Sequence, residues 1–128
     1  MKDKIDAVKA FHTAFKLGYK ETPIADLGTE KNTLRYHLMH EENEEYLHAS
    51  NSNNLIEVAD ALGDMLYILC GTIIEHGLQH KIEEVFEEIQ RSNMSKLGEN
   101  GEPIYREDGK VLKGPNYFKP NIKDILDK

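Results

Sequence analysis

Length, composition and charge limit the class of protein before any motif is considered. The chain has 128 residues, 39% of them hydrophobic, which is enough for one compact domain with a modest core. Its formal net charge of −7 argues against a general nucleic-acid binder and against binding to anionic membranes. It has no signal-peptide core and no uninterrupted apolar run of about 20 residues, so we expect a soluble, cytoplasmic protein.

Apolar residues recur at helical spacing through most of the chain and predict four helices. We expect these helices at about Lys2 to Leu17, Glu30 to Ala49, Asn54 to His76 and His80 to Ser92. The inward face of the first should carry Ala7, Val8, Phe11, Ala14 and Phe15. Short polar and glycine-containing connections favour an all-α helical bundle.

The last third of the chain is rich in glycine, proline and lysine. Asp108 and Gly109 lie between the segments PIYRE and KVL and predict a small hairpin. The final segment, NIKDILDK, predicts a short helical turn. We therefore expect one domain over residues 1–128, with a helical core at about 2–92 and a glycine- and lysine-rich tail at about 93–120.

The third predicted helix contains a contradiction. Nearly every residue between Leu55 and Ile74 is apolar or small, which is typical of a helix buried on all sides, yet Glu57, Asp60 and Asp64 lie within it. At about 100° per residue, these carboxylates fall within roughly 60° of one another and form one stripe. The only cysteine, Cys70, also lies here, and we interpret it as a small buried thiol rather than a nucleophile.

The second predicted helix repeats the pattern. Three carboxylates lie on or beside the inward face that Leu34, Leu38 and Ala49 define, namely Glu41, Glu42 and Glu45. Glu44 should face solvent. Taken alone, the run EENEE is typical of a solvated helix face, and only its combination with the third helix favours a shared site.

Carboxylates gathered in a bundle interior repel one another, and each isolated buried ion costs several kcal/mol. Neither face carries a lysine or arginine to compensate, so the acids must either bind protons or share a hard cation. Oxygen-only ligands favour Mg²⁺ or Mn²⁺ over zinc, and Mg²⁺ commonly bridges carboxylates to substrate phosphates. The sequence therefore predicts a metal site between these two helices.

Two motifs, E-E-x-x-E from Glu41 to Glu45 and E-x-x-D from Glu57 to Asp60, resemble those of the all-α nucleoside triphosphate pyrophosphohydrolases, which include MazG and phosphoribosyl-ATP pyrophosphohydrolase. The segment RSNMSKLGENGEPIYREDGKVLKGPNYFKP is similar to the tail of one branch of phosphoribosyl-ATP-pyrophosphohydrolase-like proteins. The resemblance covers about Thr33 to Pro120. It departs from that branch at Gln90, where histidine is expected, and at His40, where an apolar residue is usual.

The resemblance implies a helical bundle that assembles as a homodimer or homotetramer. It also implies Mg²⁺-dependent hydrolysis between the α and β phosphates, giving a nucleoside monophosphate and pyrophosphate. The metal ligands that it implies are Glu42, Glu45, Glu57 and Asp60. Glu41, with Glu42 beside it, is the candidate for orienting or deprotonating the attacking water. Asp64 follows Asp60 by one turn and either supports a ligand or binds a second ion.

Positive groups and hydrogen-bond donors must also meet the triphosphate and its base. The candidates in the tail and just before it are Arg91, Asn93, Ser95, Lys96, Lys110, Lys113, Asn116 and Tyr117. Lys96 and Lys113 rank first because they lie in the matched segments. Tyr67 and Phe15 are assigned to packing, and the six histidines are interpreted mostly as surface or helix-end residues.

Three alternatives stay open at this point. A di-iron carboxylate bundle normally needs two E-x-x-H pairs, and only Glu45 to His48 provides one. A non-catalytic bundle that binds metal or a partner is compatible with the composition. Phosphoribosyl-ATP itself is a possible substrate, because the resemblance does not identify the base or the sugar.

Overall fold

The computed structural model describes residues 1–128 and contains five α-helices and no β-strand. The helices are α1 (Lys2–Ala14), α2 (Thr29–Asn51), α3 (Leu55–Glu75), α4 (Ile82–Met94) and α5 (Ile122–Leu126). The predicted all-α architecture is confirmed, and so is the final helical turn. The first helix ends at Ala14 rather than at about Leu17, and Lys16 just beyond it has a left-handed backbone with φ of 57°.

The chain divides into two compact units, Met1–His80 and Lys81–Lys128. In the first unit, α3 packs against both α1 and α2. Residues 52–54 alone connect α2 to α3, and Asn53 in this turn has a φ of 52°. The side chain of Asn54 caps α3 by accepting a hydrogen bond from the backbone N–H of Glu57 at 3.2 Å. The short turn makes α2 and α3 an antiparallel pair.

The second unit contains α4, the tail and α5. Tyr105 and Val111 form a single antiparallel bridge around the turn at Gly109, whose φ is 88°. The predicted hairpin is therefore present in its smallest form. The hydroxyl of Ser92 donates to the carbonyl of Phe118 at 2.8 Å and ties α4 to the tail. The structure groups α4 with the tail, and the assignment of the whole chain to one domain stays a prediction.

Burial along α3 differs from the sequence prediction. The buried side chains lie mainly towards its C-terminal end, where Ile74 is fully buried and Cys70 is 1% exposed. Leu55 and Ile56 at its start are about four-fifths exposed, at 79% and 80%. The expectation of a helix buried on all sides is thus wrong for the single chain, because α1 and α2 cover only part of its surface. Cys70 is the buried thiol that was expected, and burial raises its pKa.

The faces that α1 and α2 bury are also shifted from the predicted ones. On α1, Ile5, Val8 and His12 are buried, whereas Phe11 and Phe15 are exposed. Phe11 contacts Tyr67 edge-to-face at 5.6 Å, so these aromatic residues pack on one another at the surface. On α2, the buried residues are Arg35 and Ala49, while Leu34 is half exposed. No helix of the chain combines the length and apolar character needed to cross a bilayer.

Candidate active site

Four of the predicted acids come together where the second half of α2 faces the first half of α3. The carboxyl of Glu42 lies beside that of Glu45 one turn along α2, and it experiences the negative charges of Asp60 and Asp64 on α3. The antiparallel pairing explains this meeting, because residues at similar distances before and after the turn face each other. We call Glu42, Glu45, Asp60 and Asp64 the acid cluster.

Glu42 is the electrostatic centre of the acid cluster. Burial raises the pKa of Glu42 to about 7, and a hydrogen bond with Glu45 together with the charges of Glu45, Asp64 and Asp60 act in the same direction. Its Oε2 atom is enclosed by protein and has no hydrogen-bond partner. A buried, unpaired carboxylate oxygen among like charges favours either a proton or a cation at this point.

Glu57 belongs to the adjoining surface. Together with Glu45 it borders a concavity of about 680 Å³, and the other residues around this concavity are Glu44, His48, Ala49, Ser52 and Asn54. Glu44 is exposed, as expected, but it faces this space as well. The lining contains no lysine or arginine. Through its cap on the N–H of Glu57, Asn54 holds the first turn of α3 at the edge of the concavity.

The acids do not form a finished metal cage in the single chain. Glu45, Glu57, Asp60 and Asp64 are exposed, so the prediction that they lie in the interior is wrong for one isolated copy. As the side chains stand, no three histidine, cysteine, aspartate or glutamate side chains are arranged to hold a metal ion. These carboxylates stay accessible to solvent because α1 and α2 cover only part of α3. Glu41 is exposed too, and its role at an attacking water stays a prediction.

The residues nevertheless fit a hard divalent cation in their chemistry. All donors of the acid cluster are carboxylate oxygens, the ligand type that Mg²⁺ and Mn²⁺ prefer. The orphaned Oε2 of Glu42 offers an acceptor with no competing partner. Binding would require the exposed carboxylates to turn towards the ion.

The predicted phosphate-binding residues all lie in the second unit, and several have partners there. Arg91 pairs with Glu88 at 2.8 Å and lies over the ring of Phe118. Lys113 lies 4.7 Å from the centre of the Tyr117 ring. The hydroxyl of Ser95 donates to the carbonyl of Ser92.

The other predicted phosphate-binding residues differ in how far their side chains are exposed to solvent. Asn93, Lys110 and Asn116 are exposed, and Lys96 is half-buried. The backbone carbonyl of Lys96 accepts a hydrogen bond from Gly114 at 2.8 Å, which draws two parts of the tail together. Contact between these residues and a substrate stays a prediction.

A buried polar network at the other end of the α2–α3 pair is absent from the sequence prediction. It consists of His12, Lys31, Arg35, Thr72 and Glu75. His12 and Glu75 are 3% and 4% exposed. His12 lies in the last turn of α1, so it is a helix-end residue, as expected for the histidines, but it is not at the surface. The statement that these helix faces lack a cation is wrong. Arg35 precedes Glu42 by two helical turns on the same side of α2, and this spacing could have revealed it.

Comparisons with known proteins identify a family and a solved structure of similar fold. The family model described as phosphoribosyl-ATP pyrophosphohydrolase matches residues 8–93, which include every predicted acid. The structure is similar to a crystal structure from Exiguobacterium sp. 255-15 that is provisionally described as an NTP pyrophosphohydrolase. That match has a TM-score of 0.54 and 26% sequence identity, and it covers 97% of this chain and 94% of that chain. No curated protein sequence matches the chain.

Proposed function

This chain belongs to the phosphoribosyl-ATP pyrophosphohydrolase family, whose members are hydrolases of nucleotide pyrophosphate bonds, and we propose that it is a Mg²⁺-dependent nucleoside triphosphate pyrophosphohydrolase. The proposed reaction cleaves between the α and β phosphates and releases a nucleoside monophosphate and pyrophosphate. The observation that supports it best is the acid cluster, in which Glu42 has an elevated pKa and an unpaired oxygen. We place this activity in the cytoplasm, in nucleotide metabolism or the removal of unwanted nucleotides.

The residues that would hold the ion are Glu42, Glu45, Glu57, Asp60 and Asp64. When bound, Mg²⁺ neutralises charge on the triphosphate and lowers the pKa of a bound water, and Mn²⁺ can substitute for it. Glu41 and Glu42 are the candidates for orienting or deprotonating the attacking water. Hydrolysis of this kind depends mainly on positioning and charge stabilisation, so it needs no nucleophilic side chain.

The rest of the substrate needs space and positive charge. The concavity beside Glu45 and Glu57 is lined by three glutamates and by no lysine or arginine, so it suits an uncharged part of the nucleotide better than its phosphates. Lys96 and Lys113 are the preferred partners for the phosphate oxygens. Arg91, Lys110, Asn93, Ser95 and Asn116 are further candidates, and Tyr117 is one for the base.

We also propose that the chain functions as a homodimer or homotetramer. Large apolar side chains on α3 are exposed in the single copy, among them Leu55, Ile56, Leu62 and Leu69. Met39, Met65, Leu66 and Leu69 line an apolar hollow of about 300 Å³ on α2 and α3. A second copy on this face would remove the apolar side chains from water and dehydrate the neighbouring acids.

Sedimentation velocity would test the assembly. Leu69→Glu should reduce the particle to a monomer, whereas Leu17→Asp, a charge at an equally exposed leucine outside α2 and α3, should not. A monomeric parent protein at micromolar concentration would contradict the proposal.

A pyrophosphate-release assay would test the reaction. We would measure release from canonical and modified triphosphates and from phosphoribosyl-ATP, each with Mg²⁺ and with EDTA. Mg²⁺-dependent release from at least one triphosphate is expected. A preference for phosphoribosyl-ATP would make that compound, rather than a nucleoside triphosphate, the assigned substrate. Tight binding of a non-hydrolysable analogue without turnover of any substrate would instead indicate a non-catalytic binding protein, and bound iron would indicate redox chemistry.

A further inference from the structure

The buried network connects the three helices of the first unit through a few specific hydrogen bonds. Arg35 of α2 donates from Nε to the hydroxyl of Thr72 at 3.1 Å and from Nη2 to the carbonyl of Ile68 at 2.9 Å. Thr72 also donates to that carbonyl at 2.9 Å. Arg35 therefore bonds two groups on consecutive turns of α3.

Glu75 is the anion of this network and meets groups from two other helices. Lys31 of α2 approaches its Oε2 at 3.1 Å. His12 of α1 lies 3.5 Å from its Oε1, and the same Nδ1 atom is 3.0 Å from the carbonyl of Gly18. Since a carbonyl oxygen only accepts, Nδ1 of His12 carries a hydrogen. The network thus holds α1 and α2 to one segment of α3.

Gly71 provides the space in which two of these side chains approach α3. A Cβ atom at this position would lie 2.7 Å from Nη2 of Arg35 and 2.9 Å from Nε2 of His12. Glycine in a helix interior is less favourable than alanine by about 1 kcal/mol. The other glycine of this helix, Gly63, has nothing within 4 Å of the same virtual atom. Gly71 and Gly63 therefore form a matched pair for mutation.

The network and the turn at residues 52–54 lie on opposite sides of the acid cluster along the α2–α3 pair. The acid-bearing segments of α2 and α3 lie between the turn at residues 52–54 and Arg35. The turn fixes one end of the helix pair through the covalent chain, and Arg35 fixes the other through two directed bonds. A slide of one residue along a helix is about 1.5 Å, which would break both bonds of Arg35. Apolar contacts tolerate such a slide far better.

From this arrangement we infer that Arg35, accommodated by Gly71, is a positioning residue that sets the register of α2 against α3 and thereby aligns Glu42 and Glu45 with Asp60 and Asp64. The inference rests on the proposed function, because it assigns the alignment to the binding of a divalent cation. Two separate donors on a rigid, planar guanidinium suit this task, and the flexible ammonium of a lysine would fix the two helices less firmly.

Gly71→Ala and Gly63→Ala would be compared directly. Calorimetry with Mg²⁺ alone would measure the dissociation constant of the cation, and turnover would give the Mg²⁺ concentration for half-maximal rate. We expect Gly71→Ala to weaken Mg²⁺ binding by about 10-fold or more, the scale found when support behind metal ligands is removed. Gly63→Ala should leave the affinity within about 2-fold of the parent, because its methyl group meets open space.

Thr72→Val is the milder second variant, in case Gly71→Ala does not fold. It removes one partner of Arg35 and nearly preserves the volume of the side chain, and we expect a smaller loss of Mg²⁺ affinity in the same direction. Arg35→Lys should also bind Mg²⁺ more weakly than the parent does, although it keeps the positive charge. If folded Gly71→Ala or Thr72→Val melts at a lower temperature but binds Mg²⁺ as the parent does, the network is only structural and the inference is wrong.

A distance measurement separates this inference from the proposed function. Nitroxide labels at Asn43→Cys on α2 and Tyr67→Cys on α3, both exposed and neither among the side chains assigned to the contact between copies, would report the register by pulsed electron paramagnetic resonance. Gly71→Ala should change this distance by about 1 Å or more, and Gly63→Ala should not. A parent protein that binds no Mg²⁺ would overturn the proposed function, while an unchanged distance in Gly71→Ala would overturn the register argument itself.

Discussion

Each end of the α2–α3 pair has a carboxyl group that is at least half-buried, but the two ends differ in how its charge is balanced. Away from the turn, the buried carboxylate of Glu75 lies near Lys31, His12 and Arg35. Near the turn, the charges that act on Glu42 all come from other carboxylates, and one of its oxygens has no hydrogen-bond partner. A carboxylate with its cations in place stabilises the fold, whereas a cluster without them is a place for an external cation. Changing one end at a time therefore has different expected effects on activity and on stability.

Removing an acid near the turn should have the largest effect, and it should fall on activity. Glu57→Ala or Asp60→Ala should reduce turnover by at least about 100-fold, since even outer supports of metal sites contribute 10- to 100-fold. The melting temperature of the metal-free protein should stay the same or rise, because like charges are separated. Turnover and thermal melts would be compared with Glu30→Ala, an exposed acid in the first turn of α2. Full activity in both variants would refute the site.

Removing the acid at the other end should instead lower stability. Glu75→Gln leaves Lys31, Arg35 and His12 without their anion, and we expect a loss of about 3 kcal/mol in the free energy of unfolding. This is the lower end of the range for buried pairs, because Lys31 is 38% exposed. Urea denaturation would measure the loss. A stability equal to that of the parent would mean that the two ends do not differ as described.

Mg²⁺ should stabilise the protein through the acid cluster. At 100 times its dissociation constant, the ion would add about 2.7 kcal/mol to the free energy of unfolding. Thermal melts with MgCl₂, with EDTA and with KCl at matched ionic strength would detect this. The shift should disappear in Asp60→Ala and persist in Glu30→Ala. An equal shift with KCl would indicate screening of charge rather than binding.

The smallest effect expected is a pH dependence caused by Glu42. The pKa of this carboxyl rises from its ordinary 4.5 to about 7 on folding, so the folded protein binds the proton more tightly than the unfolded chain. Its stabilising contribution is complete below about pH 4.5 and is lost as the pH rises to about 7 and beyond. In EDTA, the urea midpoint of the parent should therefore fall as the pH is raised from 5.5 to 7.5. The midpoint of Glu42→Gln should fall less over the same pH change. Glu44→Gln, a change on the same helix, should behave like the parent.

Mg²⁺ and the proton compete for the same carboxylate, so the affinity for the ion should increase over this pH range. Equal Mg²⁺ affinity at pH 6 and pH 8 would place the ion away from Glu42. The comparison is sharper than activity alone, since it identifies the carboxylate that the ion uses.

Much of the helical architecture follows from local pattern. The spacing of apolar residues predicts α2, α3 and α4 to within a few residues, and the two acidic motifs predict which helices hold the acid cluster. What the sequence does not give is the environment of each side chain. Leu34 and Arg35 are adjacent, and hydropathy favours burial of the leucine, yet Arg35 is buried because Thr72 and the carbonyl of Ile68 satisfy its donors. Such partners are more than 30 residues away in sequence.

The exposure of α3 is the other difference, and it has a related cause. The run from Leu55 to Ile74 is hydrophobic enough for complete burial, but one chain supplies only α1 and α2 to cover it. The sequence shows that a helix face is apolar, but it does not show whether that face is covered within the same chain or by a second chain. The buried histidine shows the same limit, since His12 depends on Glu75 and on the carbonyl of Gly18 for its polar contacts.

The single cysteine has a practical consequence for spectroscopy. The thiol of Cys70 is 1% exposed, and burial raises its pKa, so its reactive thiolate is scarce and poorly accessible to reagents. Fluorophores or nitroxides can therefore be attached to cysteines introduced on the outer faces of α2 and α3 while the native thiol stays in place. Labels should therefore react with the introduced cysteines and very little with Cys70, and Cys70 does not have to be replaced by another residue first.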